Sequence, residues 1–196
     1  MPKGAILILA AGNSSRLGQS KQLVIISKGQ TLLNQTILAA EQSQLGEVYV
    51  VLGVDYLKHS ESIKSKVHLI ENTNWSSGMG SSLKAGLTRV ISDNNQLEFI
   101  LVSVCDQPYL QAENLLALYN KFDQSDQPII ASQYEEGFGV PVLFSSKVFN
   151  ELRQLGDSEG ALKFLKANMK SVEFVNFEKG NVDIDTPDDL LNHLPS

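Results

Sequence analysis

Short apolar runs alternate with amphipathic segments along this chain, and that alternation restricts the fold more than any other feature of the sequence. Gly4–Ala10 (GAILILA) and Phe99–Val104 (FILVSV) are uncharged and are typical of strands buried on both faces. Thr31–Gln44 has apolar residues at helical spacing, and Gly46 just beyond it indicates where that helix ends. Because strand–helix alternation implies a parallel sheet covered by helices, we expect a three-layer α/β/α fold with a mostly parallel mixed sheet.

The remaining segments continue this alternation. Further strands are predicted at Glu47–Leu52, Val67–Glu71, Pro128–Ser132, Val140–Phe144, Val172–Phe177 and Asn181–Ile184, with a turn at Glu136–Gly139. Further helices are predicted at Ser81–Ile91, Ala112–Phe122, Lys147–Leu155 and Glu159–Ala167, and a last helix from Thr186 as N-cap and Pro187 as its first residue. No repeat or linker divides the sequence, so a single domain over residues 1–196 is expected.

The composition excludes several classes of partner. Acidic residues outnumber basic ones by 22 to 16, so a nucleic acid, which requires a clustered positive surface, is not an expected partner. A single nucleotide requires only a few local charges and stays possible. The one cysteine, Cys105, cannot form an intramolecular disulfide, which fits a reducing cytoplasm. The apolar runs are far shorter than the roughly 20 residues that span a bilayer, so no membrane partner is expected.

The loops after the strands are the places to look for a ligand site. Ligands of open α/β sheets bind beyond the carboxyl ends of the strands. In this chain those ends are followed by the loops after Ala10, Glu71, Val104 and Ile184.

The first loop has the residues of a phosphate site. Gly12 and Gly18 permit positive φ and a close approach of the backbone, and successive N–H groups in such a turn form a cradle for an anion. Arg16 offers a planar fork for phosphate oxygens, and Lys21 offers a mobile point charge. The loop is neither a Walker loop nor a dinucleotide fingerprint. Phosphate binding is the interpretation that these residues favour over an ordinary polar loop.

Two carboxylates are placed to hold a hard cation. Asp106 directly follows the end of a buried strand and should face the ligand crevice, although an N-cap of the next helix is an alternative role. Asp183 and Asp185 would share one face of a strand, with Asp185 nearer the crevice. The acids Asp188 and Asp189 are best explained as complements to the dipole of the last helix.

A second Gly/Ser loop, Asn74–Leu83, opens a helix. Ser82 and nearby backbone amides could contact a base and a ribose. Trp75 could stack on a ligand or serve as a packing anchor, and the sequence favours packing.

Together these segments resemble a known family. The pattern Leu9-Ala10-Ala11-Gly12-x-Ser14-x-Arg16-x-Gly18-x-x-Lys21 resembles the signature loop of the nucleotidyltransferases that make sugar nucleotides and related nucleoside monophosphate adducts. Within them, it is most similar to the cytidylyltransferase-like branch that acts on the molybdenum cofactor. The resemblance is carried by that loop, by Asn74–Leu83 with Gly86-Leu87, by Cys105–Pro108 and by Asp183–Leu190. It covers nearly the whole chain and implies a Rossmann-like nucleotidyltransferase fold.

The resemblance also implies roles for individual residues. The three catalytic residues would be Arg16, Lys21 and Asp106, the first two binding the triphosphate. Magnesium would be held by Asp106 and Asp185. The nucleotide would be bound by Ala10, Ala11, Gly12, Lys21, Gly78 and Ser82. Ala11 stands where the guanylyltransferase branch typically has Gly, which favours CTP.

Two positions depart from the family on the acceptor side. The family's acceptor motif resembles Gly-Asp-x-Gly-Ala-Arg, whereas Gly156–Leu162 has one extra residue and places Leu162 where Arg is expected. Lys163 could replace that charge. Val140 also stands where the family usually has a polar residue.

The function expected from the resemblance is transfer of CMP from CTP to the terminal phosphate of a molybdopterin-type cofactor, with release of pyrophosphate. The expected partners are CTP or a related NTP, the pterin acceptor, and a recipient molybdoenzyme or its chaperone. Two alternatives stay open: a transferase with another base or phosphate acceptor, and a non-catalytic chaperone that binds the molybdenum cofactor.

Overall fold

A mixed sheet of seven strands forms the centre of the computed structural model, which describes residues 3–27 and 29–193. In chain order, the strands are β1 (Gly4–Ala10), β2 (Ile25–Ser27), β3 (Gln30–Thr31), β4 (Gly46–Leu52), β5 (His68–Glu71), β6 (Phe99–Val104), β7 (Ile129–Gln133), β8 (Phe138–Ser145) and β9 (Val172–Asn176). The large sheet has the order β5-β4-β1-β6-β8-β7-β9, and β2 pairs with β3 in a separate hairpin.

The helices lie between the strands. They are α1 (Leu32–Ser43), α2 (Tyr56–Ser62), α3 (Met79–Asp93), α4 (Ala112–Asp123), α5 (Phe149–Leu152), α6 (Ala161–Ala167) and α7 (Pro187–His193). No helix in the described ranges has the length and hydropathy needed to cross a bilayer.

Strand β1 lies near the middle of the sheet and pairs in parallel with a neighbour on each side. Ile6 is opposite Val48 of β4 and Leu101 of β6. Every residue of β1 is buried, because helices cover both faces of the sheet. Among the described strands of the large sheet, β8 alone runs antiparallel to its neighbours, β6 and β7. The expectation of a three-layer fold with a mostly parallel mixed sheet is therefore confirmed.

Two apolar cores lie on opposite faces of the sheet. Leu7 of β1 packs into the first core with Leu83 of α3, whereas Ile6 packs into the second with Ile37 of α1 and Leu115 of α4. Alternate residues of one strand therefore contact different helical layers, as the pleat of a β-strand requires. This packing fixes the carboxyl ends of β1 and β6 side by side.

The sequence prediction is wrong at several places. Residues 181–184, predicted as a strand, lie outside the sheet, since a short 3-10 turn at Glu178–Asn181 leads into an extended segment. That segment is held across the crevice: the Ile184 N–H donates to the Asp106 carbonyl oxygen at 2.9 Å, and the Ile184 side chain is fully buried beside Leu17. Asp183 and Asp185 are therefore brought to the site by a loop and not by a strand.

Other boundaries differ from the prediction. Strand β8 begins at Phe138, inside the predicted turn, and continues through Pro141. The predicted helix over Lys147–Leu155 is a 3-10 turn followed by the four residues of α5, and α6 begins at Ala161, after the predicted start. The sequence analysis missed α2 and the β2–β3 hairpin. Each of these is short and has little apolar periodicity.

Candidate active site

A cavity of about 360 Å³ opens at the carboxyl ends of β1 and β6. Its walls come from the first loop, the start of α3 and the end of β6. The lining residues singled out by the sequence are Ala10, Ala11, Gly12, Lys21, Trp75, Gly78, Ser82 and Asp106. All six predicted nucleotide-binding positions therefore face one space, whereas Arg16 and Asp185 are not among its lining residues.

The first loop turns through two left-handed residues. These are Ser14 at φ 53° and Gly18 at φ 72°, so of the two glycines that permit positive φ in this loop, Gly18 adopts it and Gly12 does not. The Ser14 carbonyl accepts the Leu17 N–H at 3.1 Å, which places the turn after Gly12. Within the described residues, the N–H groups of Gly12, Asn13 and Arg16 have no intramolecular acceptor. They are free to bind an anion, as in a backbone nest.

The ends of this loop are tied together by Gln22, which the sequence analysis did not single out. The Gln22 side chain is 1% exposed, and its Nε2 donates to the carbonyls of Ala10 at 2.8 Å and Gly12 at 2.9 Å. The Lys21 N–H donates to Ser14 Oγ at 3.0 Å. An amide next to a lysine in a polar loop resembles a solvated residue, so only its position directly before the apolar run over residues 23–26 indicated burial.

Lys21 lies between two carboxylates that come from distant parts of the chain. Its Nζ donates to Asp106 Oδ2 at 2.8 Å and to Asp185 Oδ1 at 2.5 Å. Burial disfavours the charged ammonium, but the attraction of Asp106 and the hydrogen bonds to both carboxylates outweigh that effect and raise the pKa of Lys21. Arg16, which is mostly exposed, donates to the other oxygen of Asp185 at 2.6 Å. The structure thus brings Arg16, Lys21, Asp106 and Asp185 together.

The carboxylates fit a magnesium site. Magnesium takes one or two protein carboxylates and completes its shell with phosphate and water oxygens. The buried Oδ1 of Asp106 has no hydrogen-bond donor among the described residues, which leaves a lone pair available for a cation. In that part of the chain, no cluster of three or more Asp, Glu, His or Cys residues is arranged to hold a metal. The protein therefore offers a partial shell that a bound triphosphate would complete.

Neighbouring groups refine these assignments. Burial, together with the charges of Asp106 and Asp185, raises the pKa of Asp183 to about 7. Burial also raises the pKa of the Cys105 thiol to about 12, so it stays protonated.

Gln111, and not Asp106, is the N-cap of α4, which removes the alternative role for Asp106. Asp189 accepts the N–H groups of Asp185 and Thr186, so it fixes the loop that carries Asp185.

The opposite wall of the cavity is the start of α3. Gly78 has φ 120°, and a side chain there would meet the backbone of Asp157 at 2.8 Å. Ser82 is buried, and its Oγ accepts from the Asn72 amide at 3.0 Å. Trp75 packs against the first core and also lines the cavity, so both interpretations of it stay open.

The charged residues on and near the loop that was predicted to bind the acceptor are paired with one another. Lys84 pairs with Asp157, and Lys163 pairs with Glu159 one helical turn away. Leu162 is 43% exposed and adds no charge. Lys163, the suggested replacement for the missing arginine, is thus held by a carboxylate.

The chain resembles known proteins over most of its length. MobA-like NTP transferase domains match residues 6–172. The purine catabolism protein PucB of Bacillus subtilis (strain 168) is 28% identical over an alignment of 196 residues that covers 93% of this chain and 92% of PucB. The Rv0371c homolog from Mycobacterium sp. strain JC1 has a TM-score of 0.83 and 26% identity, covering 98% of this chain and 95% of that one. Rv0371c of Mycobacterium tuberculosis H37Rv, in a complex with manganese, has a TM-score of 0.79 and 25% identity over 98% of each chain.

The family match begins in β1 and ends at the start of β9, so it includes the first loop, Ser82 and Asp106. Asp185 lies beyond the matched residues and is joined to them by its contacts with Arg16 and Lys21. Since the match spans far more than half of the sequence, this chain belongs to the family of MobA-like NTP transferase domains.

Proposed function

We propose that this protein transfers a nucleoside monophosphate from an NTP, with CTP preferred, to the terminal phosphate of a molybdopterin-type cofactor and releases pyrophosphate. The observation that carries this proposal is the position of Lys21. Its ammonium lies between Asp106 and Asp185 in a cavity whose other wall is the start of α3. Nucleotidyl transfer requires cationic side chains that bind the phosphates and carboxylates that bind a metal ion, close to one another.

The chain's own residues would act mainly by position and charge. The acceptor phosphate is already anionic near neutral pH, so its oxygen can attack the α-phosphorus without a strong general base. The α–β phosphate bond breaks as the new bond forms, and the electron pair leaves with pyrophosphate. Arg16, Lys21 and the free N–H groups of the first loop would bind the leaving pyrophosphate and neutralise the charge that develops on it.

Asp106 and Asp185 would hold a magnesium ion when substrate is bound. When bound, that ion would withdraw charge from the α-phosphoryl oxygens. The complex of Rv0371c with manganese supports a divalent cation in this family. Because Lys21 contacts both carboxylates, its side chain has to turn toward the triphosphate when the cation binds.

Pyrophosphate release tests the proposal. Each of the four NTPs is offered with magnesium and a molybdopterin-type acceptor, and release is followed with a coupled phosphate assay. We expect release with CTP to be fastest and to depend on the acceptor. Asp106→Asn should abolish it while far-ultraviolet circular dichroism stays unchanged, since the amide cannot replace the carboxylate on the metal.

The other outcomes separate the alternatives. A preference for another NTP, or release with a different phosphate acceptor, would replace the cytidylyl assignment and keep the reaction type. A different acceptor is favoured by the loop that would bind it, because Lys163 is paired with Glu159 and the exposed Leu162 carries no charge. Tight binding of the pterin without release from any NTP would overturn the proposal in favour of a chaperone.

A further inference from the structure

A fully buried histidine outside the first loop contacts that loop directly. His59 lies on α2, is 0% exposed, and places its Nε2 at 2.6 Å from Ser20 Oγ. No metal-binding or catalytic pattern in the sequence includes it. Its contact is therefore a connection between α2 and the residue that immediately precedes Lys21.

The direction of the hydrogen bonds beyond Ser20 can be deduced. Carbonyl oxygens only accept, so the two bonds from Gln22 to Ala10 and Gly12 fix its Nε2 as the donor side of the amide. Gln22 Oε1 then faces Ser20 Oγ at 2.8 Å and has to accept. The Ser20 hydroxyl therefore donates to Gln22, and it has to accept from His59 Nε2–H.

The helix that carries His59 is held to α1 by hydrogen bonds at its carboxyl-terminal end. The side chain of Asn34, on α1, donates to the Ser62 carbonyl at 2.9 Å and accepts the Lys64 N–H at 3.1 Å. These two bonds fix the end of α2 to α1, which packs against the sheet. The helix that carries His59 is thus held in place, while the ring Nδ1 of His59 has no hydrogen-bond partner among the described residues, which leaves Ser20 as the polar contact of the ring.

We infer that His59 is a positioning residue for Lys21, acting through Ser20 and Gln22. Both neighbours of Lys21 are held by this hydrogen-bonded chain, so the backbone at Lys21 is fixed and its side chain is directed to the carboxylates. The kinetic consequence of this inference rests on the proposed nucleotidyl transfer. Loss of the Nε2–H donor should loosen the loop and weaken binding of the triphosphate, and it should leave the acceptor side little changed.

Four variants test the role of the His59 Nε2–H donor. His59→Phe keeps a ring and removes the donor, whereas His59→Gln can place an amide N–H near the position of Nε2. Ser62→Ala is the matched control on the same helix, because it removes the hydroxyl bond to the His59 carbonyl and touches no loop residue. Ser20→Ala removes the middle link and serves as the second test if His59→Phe fails to fold.

Hydrogen exchange of the ligand-free protein gives a readout that needs no activity. We expect His59→Phe and Ser20→Ala to speed exchange of the hydrogen-bonded loop amides of Leu17 and Lys21 about fivefold, since one buried hydrogen bond contributes about 1 kcal/mol. His59→Gln should restore most of the protection, and Ser62→Ala should not change it. Unchanged loop exchange in both His59→Phe and Ser20→Ala would overturn the inference, as would a His59→Gln variant that exchanges as fast as His59→Phe.

Binding and kinetics give the second readout. The affinity for CTP, measured by calorimetry with magnesium, and the KM for NTP should both worsen about fivefold in His59→Phe, with less than a twofold change in the acceptor KM. An equal rise in both KM values would indicate general loosening and contradict a positioning role. If the wild-type protein releases no pyrophosphate with any NTP, the proposed function fails, and loop exchange with CTP binding still decides the role of His59.

Discussion

At the scale of single residues, the ammonium of Lys21 occupies the space between two carboxylates where a divalent cation would have to bind. The ammonium is 2.8 Å from Asp106 Oδ2 and 2.5 Å from Asp185 Oδ1, so a cation shared by these two oxygens would have to displace it. Metal binding and movement of Lys21 are therefore linked. A triphosphate offers Lys21 new anionic partners, so nucleotide and metal should bind better together than separately.

Removing that ammonium should expose the metal site. In Lys21→Met, we expect Mn²⁺ or Mg²⁺ to bind about tenfold more tightly without nucleotide, because two adjacent carboxylates lose their cation. The affinity for CTP should fall in the same variant. Calorimetric titration with Mn²⁺ alone measures the first effect, with Lys166→Met on the exposed face of α6 as control. A metal affinity no higher than that of the wild-type protein would show that Lys21 does not compete for the site.

The methyl group of Ala11 should influence base choice. Ala11 is almost fully buried, lines the cavity and has its carbonyl against Gly53, so its position is fixed. One methyl group in a pocket is worth about 1–3 kcal/mol. We expect Ala11→Gly to reduce the preference for CTP over GTP roughly tenfold, measured as the ratio of kcat/KM values. A ratio that does not change would mean that the base does not approach Ala11.

At the scale of elements, α3 approaches the loop over residues 156–159 so closely that no side chain fits between them. A Cβ on Gly80 would lie 2.2 Å from the Gly156 carbonyl oxygen and 2.5 Å from that of Glu159. The Ser81 N–H donates to the Asp157 carbonyl at 3.1 Å across the same contact. This contact joins the α3 wall of the cavity to the loop that was predicted to bind the acceptor.

Gly80→Ala should therefore destabilise the protein although alanine favours a helix. The gain in helix propensity is about 1 kcal/mol, whereas displacing two backbone carbonyls costs about 1–3 kcal/mol and also weakens the Ser81 hydrogen bond. We expect a Tm about 2–6 °C lower by differential scanning calorimetry. Gly12→Ala is the stability control, since nothing lies within 4 Å of a Cβ there. A Gly80→Ala protein as stable as the control would show that the loop adjusts freely.

The elements differ in how far the sequence predicts them. The bounds of β1 and β6 agree with the sequence prediction, because strands buried on both faces are apolar at every position. Residues 181–184 looked like another strand because their buried Ile184 satisfies the same apolar pattern in a loop. Helix α2 was missed because its buried face is formed largely by His59, a polar residue. An apolar pattern in the sequence indicates that a segment is buried, but it does not indicate which element of the fold buries it.

In the candidate site, too, some residues could be identified from the sequence and others could not. The residue types of the first loop, with a carboxylate after a buried strand, were sufficient to select Arg16, Lys21 and Asp106. Gln22 and His59 could not be selected, because their importance comes from hydrogen-bond direction in three dimensions. Roles for all of these residues in binding or catalysis stay predictions.

At the scale of the whole molecule, His59 should make stability depend on pH. Burial lowers the pKa of His59 below its usual 6.5, while the nearby charges of Asp55 and Lys58 act in opposite directions. The unfolded chain thus binds a proton more readily than the folded one. As far as His59 is concerned, the free energy of unfolding is therefore highest above pH 6.5. It falls as the pH is lowered from 6.5 toward the lower pKa that His59 has in the folded protein.

The difference between wild type and His59→Gln isolates this effect from other titrating groups. We expect the free energy of unfolding of the wild-type protein to fall relative to that of the variant as the pH is lowered from 7 to 5. Urea denaturation at a series of pH values measures it, and His59→Phe, which also cannot titrate, should give the same slope. A difference that is flat across this range would mean that His59 is protonated in the folded protein without penalty.

The carboxylate of Asp185 meets Lys21 across 164 residues of sequence, and the exposed turn at residues 135–137 lies between them. A chain cut in that turn would leave Lys21 and Asp106 on one fragment and Asp185 on the other. Neither fragment could surround the lysine with two carboxylates, whereas the reassembled pair could. Binding of a triphosphate, as proposed for the intact protein, is therefore expected only after the two fragments have reassociated.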